Sequence, residues 1–282
     1  MYRLREIIKL FYNFIYKIYG LTLRLFGLID FPVPPNSNMR RTSAKTIKHY
    51  IYSTLTTGLP ISVAAQSSGF NFNKGANVLD FGCGCAGQLR YFLKNHPDAN
   101  YYGTDIDPST IEWVATNYPK INSSVNSPSD PLNFNDKHFD LIYTVSTFSH
   151  FSKTDVDFWL SELSRVIKDD GIFIPTIEGM GAIDLISDET KVDVELIKEE
   201  LENTGIFYKN YNWLNTLQNR DIAPLHKSVD ISSYFSDEYG HTVMKTDYFV
   251  KKARDYGFEL LGVAEKVICD RQDLLILRKI SQ

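Results

Sequence analysis

Cysteine is scarce in this chain: Cys83, Cys85 and Cys269 are the only three in 282 residues, and the first two sit one residue apart inside a glycine cluster. So few thiols exclude a disulfide-stapled scaffold and suit a reducing compartment, so a cytoplasmic location is expected. Positive charge is not in excess either. Thirty Lys plus Arg stand against 34 Asp plus Glu, a net charge of -4 with a pI near 5.9. That balance disfavours binding through bulk positive charge, and no nucleic-acid partner is expected. Internal repeats and low-complexity runs are also missing. What remains is ordinary globular usage, 43% hydrophobic and 23% charged, in a chain long enough for a large buried core.

Residues 1–31 differ from the rest. They hold eight aromatics, Tyr2, Phe11, Tyr12, Phe14, Tyr16, Tyr19, Phe26 and Phe31, and a local charge of +3, which leaves -7 for the remainder. Small or polar residues recur at Glu6, Lys9, Asn13, Lys17, Gly20, Arg24 and Gly27, near the helical period, so an amphipathic helix with a broad apolar face is predicted up to the stop at Pro32, Pro34 and Pro35. Lys and Arg interrupt each apolar run before it reaches the ~18 residues of a spanning helix. Lys9 and Lys17 also break any secretory apolar core. Two readings stay open: a helix packed on the protein body or a second subunit, and a helix lying in a membrane surface.

From residue 32 to 75 a helical lead-in is expected, with helices at Thr42 to Leu55 and Ile61 to Ser67, ahead of a catalytic-size domain over 76–282. Strand and helix patterns then alternate: Asn77 to Phe81, Gln88 to Asn95, Tyr101 to Asp105, Ser109 to Asn117, Phe139 to Val145, Lys153 to Ile167 and Ile172 to Thr176. Residues 182–246 read as an insertion, helical at first and then irregular and aromatic-rich. A helix at Asp247 to Tyr256 and a hairpin of Phe258 to Glu265 with Asp273 to Leu277 close the chain.

The most informative stretch is Asp80-Phe81-Gly82-Cys83-Gly84-Cys85-Ala86-Gly87, a G-x-G-x-x-G turn between a predicted strand and helix. Glycines permit the tight turn and close approach of a ligand to the backbone, and the helix N-terminus offers N–H groups to an anionic moiety. Asp105 ends the next strand 25 positions after Asp80, where a carboxylate can accept ribose hydroxyls. Asp80 would be an awkward neighbour for a pyrophosphate but tolerates a cationic ligand such as S-adenosylmethionine.

These residues resemble the class I S-adenosylmethionine-dependent methyltransferases. Val78 to Gly84 is similar to their first motif, Tyr102 to Asp107 to their second, and Phe139 to Tyr143 to their fourth strand. Thr147-Phe148-Ser149-His150-Phe151, Glu178-Gly179 and Gln272 to Lys279 resemble the VFTHL, HG and QDLVVLRK segments of bacterial members, so the likeness covers about residues 32 to 279. It implies an α/β, Rossmann-like three-layer sandwich whose mostly parallel seven-stranded sheet ends in an antiparallel hairpin. It further implies S-adenosylmethionine as cofactor. Asp80, Gly82, Cys83, Gly84 and Gly87 would then lie at the methionine end, Asp105 and Asp107 at the ribose, and Ile106 beside the adenine. Asn126 to Leu132 would cover the adenine, though this loop lacks the family's Asp-x-x-x-Leu-Pro-Phe form, and Val145 and Ser146 would border the cofactor after the fourth strand.

Methyl transfer from a sulfonium asks the protein chiefly to align the acceptor and remove a proton. His150 after the fourth strand and Glu178 after the fifth are the candidate catalytic residues; each also has a local structural reading, as a backbone hydrogen-bonder and a helix cap. Tyr208, Tyr211 and Trp213 could wall an acceptor pocket, His241 reads as an inert loop histidine, and no metal site is expected. The expected acceptor is a small molecule, glycan or lipid-linked compound, methylated at oxygen. A nicotinamide oxidoreductase and a cofactor-binding protein without turnover are the alternatives.

Overall fold

The computed structural model describes residues 29–41, 46–210 and 240–281, together with Ile18, Thr22, Leu25 and Phe26. The helices in chain order are α1 (Asn36–Arg41), α2 (Ile47–Ser67), α3 (Gly87–Asn95), α4 (Pro108–Asn117), α5 (Lys153–Val166), α6 (Ile183–Thr190), α7 (Val194–Thr204) and α8 (Thr246–Asp255). The strands are β1 (Asn77–Phe81), β2 (Asn100–Asp105), β3 (Ile121–Val125), β4 (Phe139–Thr144), β5 (Ile167–Glu178), β6 (Ile206–Asn210), β7 (Gly240–Met244), β8 (Phe258–Ile268) and β9 (Gln272–Lys279).

Seven strands form one sheet in the order β3-β2-β1-β4-β5-β9-β8. The first five run parallel, and β9 pairs antiparallel with both β5 and β8. Central strands are apolar along their length because both faces are covered: Val78, Leu79, Leu141, Ile142, Tyr143, Phe173 and Ile174 are all fully buried. On one face, Ile61 and Ala65 of α2, Leu89 and Phe92 of α3, and Val114 of α4 pack down. On the other, Trp159, Leu160 and Leu163 of α5 meet Phe249 and Ala253 of α8. The result is the three-layer sandwich expected. Strand order reverses between β1 and β4, so their following loops diverge and open a crevice at the carboxyl edge.

Several local expectations need correction. The two helices predicted around residues 42–67 are one, running from Ile47 through Pro60 to Ser67. A proline inside a helix costs about 3 kcal/mol, but buried residues on both sides of it, Tyr50 and Thr54 before and Ile61, Ala64 and Ala65 after, hold the helix together. The polar strand β3 left no usable alternation in the sequence. The Lys-Asp-Asp-Gly turn lies inside β5, absorbed by the left-handed Asp170 (φ +61°) and a register shift against β4. Residues 182–203 contain two helices, separated at the left-handed Lys191. Part of the irregular region is a two-stranded sheet, β6 with β7, which places His241 on a strand. With α6 and α7 it encloses a small core of Ile183, Ile186, Ile197, Leu201, Phe207 and Val243. Most of the predicted N-terminal helix, and Tyr211 and Trp213, lie outside the described residues. Among the described residues no helix is long and apolar enough to cross a membrane.

Candidate active site

The loop after β1 is stitched to β2. The amides of Gly82 and Cys83 both donate to the carbonyl of Thr104 at 2.8 Å, which forces the chain to turn at once. Gly82 therefore takes φ +85°, and a Cβ there would strike the hydroxyl of Thr147. Only glycine fits. Thr147 itself reaches from the β4 loop to donate to the Phe81 carbonyl at 3.0 Å, joining the two walls of the crevice. Gly84 (φ +48°) donates its amide to Asp105 Oδ2 at 2.9 Å, and the Asp107 amide donates to Oδ1 at 3.0 Å. The two bonds fix the plane of the Asp105 carboxylate at the end of β2.

Helix α3 begins beside this carboxylate. Its N-cap, Ala86, is left-handed and supplies no side-chain bond, whereas α2, α4, α5 and α7 are capped by Thr46, Asp107, Ser152 and Asp193. The first-turn amides of α3 thus lack a side-chain acceptor and carry the positive end of the helix dipole, a setting for an anionic group. From the other side the Tyr50 hydroxyl donates to the Cys85 carbonyl at 2.8 Å, so α2 pins the loop.

Asp80 is not at the surface of this site. It is buried, the Tyr143 hydroxyl donates to its Oδ2 at 3.0 Å, and desolvation pushes its pKa up to about 8 against the opposing pull of that bond, with the Asp105 charge adding to the rise. Around neutral pH it is largely uncharged, so the sequence argument that its negative charge selects a cationic ligand does not hold. Its place is beneath the loop. Cys83 is also buried, its sulfur packed against Gly103, and burial pushes its thiol pKa up.

The remaining expected residues divide. Gly87 opens α3, while Ile106, Asn126, Val145 and Ser146 lie at the carboxyl ends of their strands, with Asn126 donating its amide to the Asp105 carbonyl at 3.1 Å. Asp107 caps α4 through Ser109 and Thr110. Leu132 is a core residue instead. Its side chain joins the α5 layer, its amide donates to Glu162 at 2.7 Å and its carbonyl accepts from Arg165 at 3.0 Å.

Across the crevice, Ser146 (φ +59°) receives a 2.8 Å bond from Gln272 Nε2, and Thr176 donates to Gln272 Oε1 at 2.9 Å. Glu178 ends β5 and is buried. Arg271 stands 3.2 Å from its Oε1, and desolvation raises its pKa to about 7 against the pull of that guanidinium. It caps no helix: Gly179 is the cap of the short turn that follows. His150 Nδ1 lies 3.0 Å from the Gly240 carbonyl. A carbonyl only accepts, so Nδ1 carries the hydrogen and the basic lone pair is on Nε2. His241 is not isolated, as its Nδ1 lies 3.4 Å from Glu189. Sequence reasoning missed Tyr50, Tyr143, Thr147, Arg271 and Gln272 as builders of the site. Tyr143, Thr147 and Gln272 stand within the motifs above, and only their partners on other strands reveal what they do.

Residues 79–174, from β1 to β5, match the family model of a methyltransferase domain. That match gives the chain a methyltransferase domain, carried on the seven-stranded sheet described above. Solved structures share its fold. One is an S-adenosylmethionine-dependent methyltransferase from Mesorhizobium loti, 14% identical, with 77% of this chain and 96% of that one covered and a TM-score of 0.53. Another is the 1,6-didemethyltoxoflavin-N1-methyltransferase of Burkholderia thailandensis with bound S-adenosylhomocysteine, 11% identical over 90% and 94% of the two chains, TM-score 0.53. A Pyrococcus horikoshii OT3 protein is 17% identical over 81% and 90%, TM-score 0.51. S-adenosylmethionine is the cofactor of this methyltransferase, and the residues suit it: a glycine turn that a Cβ would fill, helix amides without a side-chain cap, and a fixed carboxylate at the end of β2.

Proposed function

We propose that this methyltransferase acts on the oxygen of a small-molecule, glycan or lipid-linked acceptor, with His150 as general base. The observation that carries this reading is the bond from His150 to Gly240, which leaves the basic nitrogen on the ring edge away from that carbonyl, at the carboxyl edge of the sheet. In this reading the backbone of Gly82, Cys83, Gly84 and Gly87 holds the amino-acid end of the cofactor, Asp105 with Asp107 the ribose, and Ile106, Asn126, Val145 and Ser146 the remaining borders. Asp80 positions the loop from below. When bound, S-adenosylmethionine supplies a methyl group on a sulfonium, whose departure as a thioether needs no acid.

The chain's own residues then do three things. The crevice aligns the acceptor oxygen with the methyl carbon for in-line displacement. His150 Nε2 takes the hydroxyl proton as the new oxygen–carbon bond forms. Glu178, already engaged by Arg271, keeps that guanidinium and Gln272 in place and so shapes the acceptor wall.

The test is calorimetric titration with S-adenosylhomocysteine, followed by transfer of labelled methyl to aqueous and organic extracts. Binding that Asp105→Ala abolishes, with label transferred in a His150-dependent way, supports the reading. Binding without transfer to either extract would point to a cofactor-binding protein without turnover.

A further inference from the structure

Helix α2 is apolar on the side that faces water as well as in part on the side that faces the core. Beside Ile47, Tyr50 and Ile61, its inward side buries six small or polar residues, Thr54, Thr57, Gly58, Ser62, Ala64 and Ala65. Thr57 accepts a 2.7 Å bond from Gln88, Ser62 lies 2.8 Å from His96 Nε2, and a Cβ on Gly58 would collide with the ring of Tyr91. The outward side, where charged residues belong, presents Tyr52, Leu55, Leu59 and Val63, exposed by 65, 55, 53 and 55%. Steps of three, four and four place them in one stripe, about 16 Å long at the helical rise. No charged residue occurs between Lys48 and Lys74 to interrupt it. A contiguous apolar stripe of this kind marks a contact surface.

The charge of the chain leading into α2 says which contact. Through Lys48 there are nine Lys plus Arg and two Asp plus Glu, a local +7, so the chain's -4 leaves -11 for everything after it. Leu25 and Phe26 in this basic stretch are 76 and 77% exposed. A symmetric pairing of two copies through α2 would bring the same +7 regions together, which is unfavourable. An anionic bilayer neutralises that charge, accepts Tyr and Phe at its interface and buries the leucines, while the acidic remainder stays away from it.

We propose that the outward face of α2 docks on an anionic lipid surface, the basic charge of the sequence before it favouring that partner. The inference extends beyond the methyltransferase reading and does not rest on it. Since Tyr50 of α2 also holds the Cys85 carbonyl, the docked face lies one helix away from the glycine loop.

The test is cosedimentation of the full chain with phosphatidylcholine vesicles, with and without phosphatidylglycerol. Pelleting with the anionic vesicles alone, weakened by salt, and reduced about tenfold or more in Leu55→Glu/Leu59→Glu, is the expected result, with S-adenosylhomocysteine affinity unchanged. Both leucines are exposed, so the fold should persist; if that variant fails the cofactor control, Tyr52→Ser/Val63→Thr replaces it. The proposal is overturned if the unmodified chain stays in the supernatant, or if the variants pellet as it does. It is equally overturned if the substitutions instead dissociate a dimer seen by sedimentation velocity, with no effect on vesicles.

Discussion

The two walls of the crevice are made differently. On the β1–β2 side, position is set by main chain: amides of Gly82, Cys83 and Gly84 tied to Thr104 and Asp105, and left-handed turns at Gly82, Gly84 and Ala86. On the β4–β5 side it is set by side chains that come from far apart, with Gln272 joining Ser146 and Glu178 across 126 and 94 residues. A backbone-built wall suits a ligand shared by many proteins. A side-chain-built wall can be changed one residue at a time.

This contrast can be broken or sharpened by substitution. The largest effect is expected on the side-chain wall: His150→Gln should lower kcat by about 10²–10⁴-fold while leaving S-adenosylhomocysteine affinity intact, as read by steady-state kinetics beside calorimetry. An equal loss in both would erase the distinction between the walls. Asp105→Ala removes two charge-assisted hydrogen bonds to backbone amides and should weaken S-adenosylhomocysteine binding on the order of 100-fold. Gly82→Ala places a side chain at φ +85° against Thr147 and should destabilise the fold by about 2 kcal/mol in urea melts, more than the same change at the open turn of Gly75.

A pH slope is also expected. Asp80 has a folded pKa of about 8, raised from 3.8, so the folded state holds its proton more tightly. Its contribution is complete below pH 4 and is lost as pH rises towards 8, by roughly 1 kcal/mol per pH unit within that window. Asp80→Asn mimics the protonated acid and should remove this part of the slope, as measured by unfolding at pH 5 and pH 8. An unchanged slope would mean that the carboxyl ionises freely under the loop.

The backbone wall was also the legible one. Buried parallel strands write continuous apolar runs, as in Val78-Leu79 and Leu141-Ile142-Tyr143, and a left-handed turn between strand and helix demands glycine, so Gly82 and Gly84 announce themselves. The side-chain wall left little trace. Arg271 and Glu178 meet only because β9 lies antiparallel to β5, and a lone arginine in a turn says nothing of that. Strand β6 finds β7 about 30 residues later, so neither has a local turn to declare the pairing. Asp80 reads in sequence as a charged neighbour of the ligand, but it lies buried beneath the loop and bonded to Tyr143 of another strand, which its place in the sequence does not show.

The hydroxyl of Thr147 bonds to the Phe81 carbonyl and packs against the place where Gly82 has no side chain. Its consequence is metric: one hydroxyl sets how far apart the loops after β1 and β4 stand, so a side chain one methylene longer or shorter at 147 would reset the spacing of the two walls.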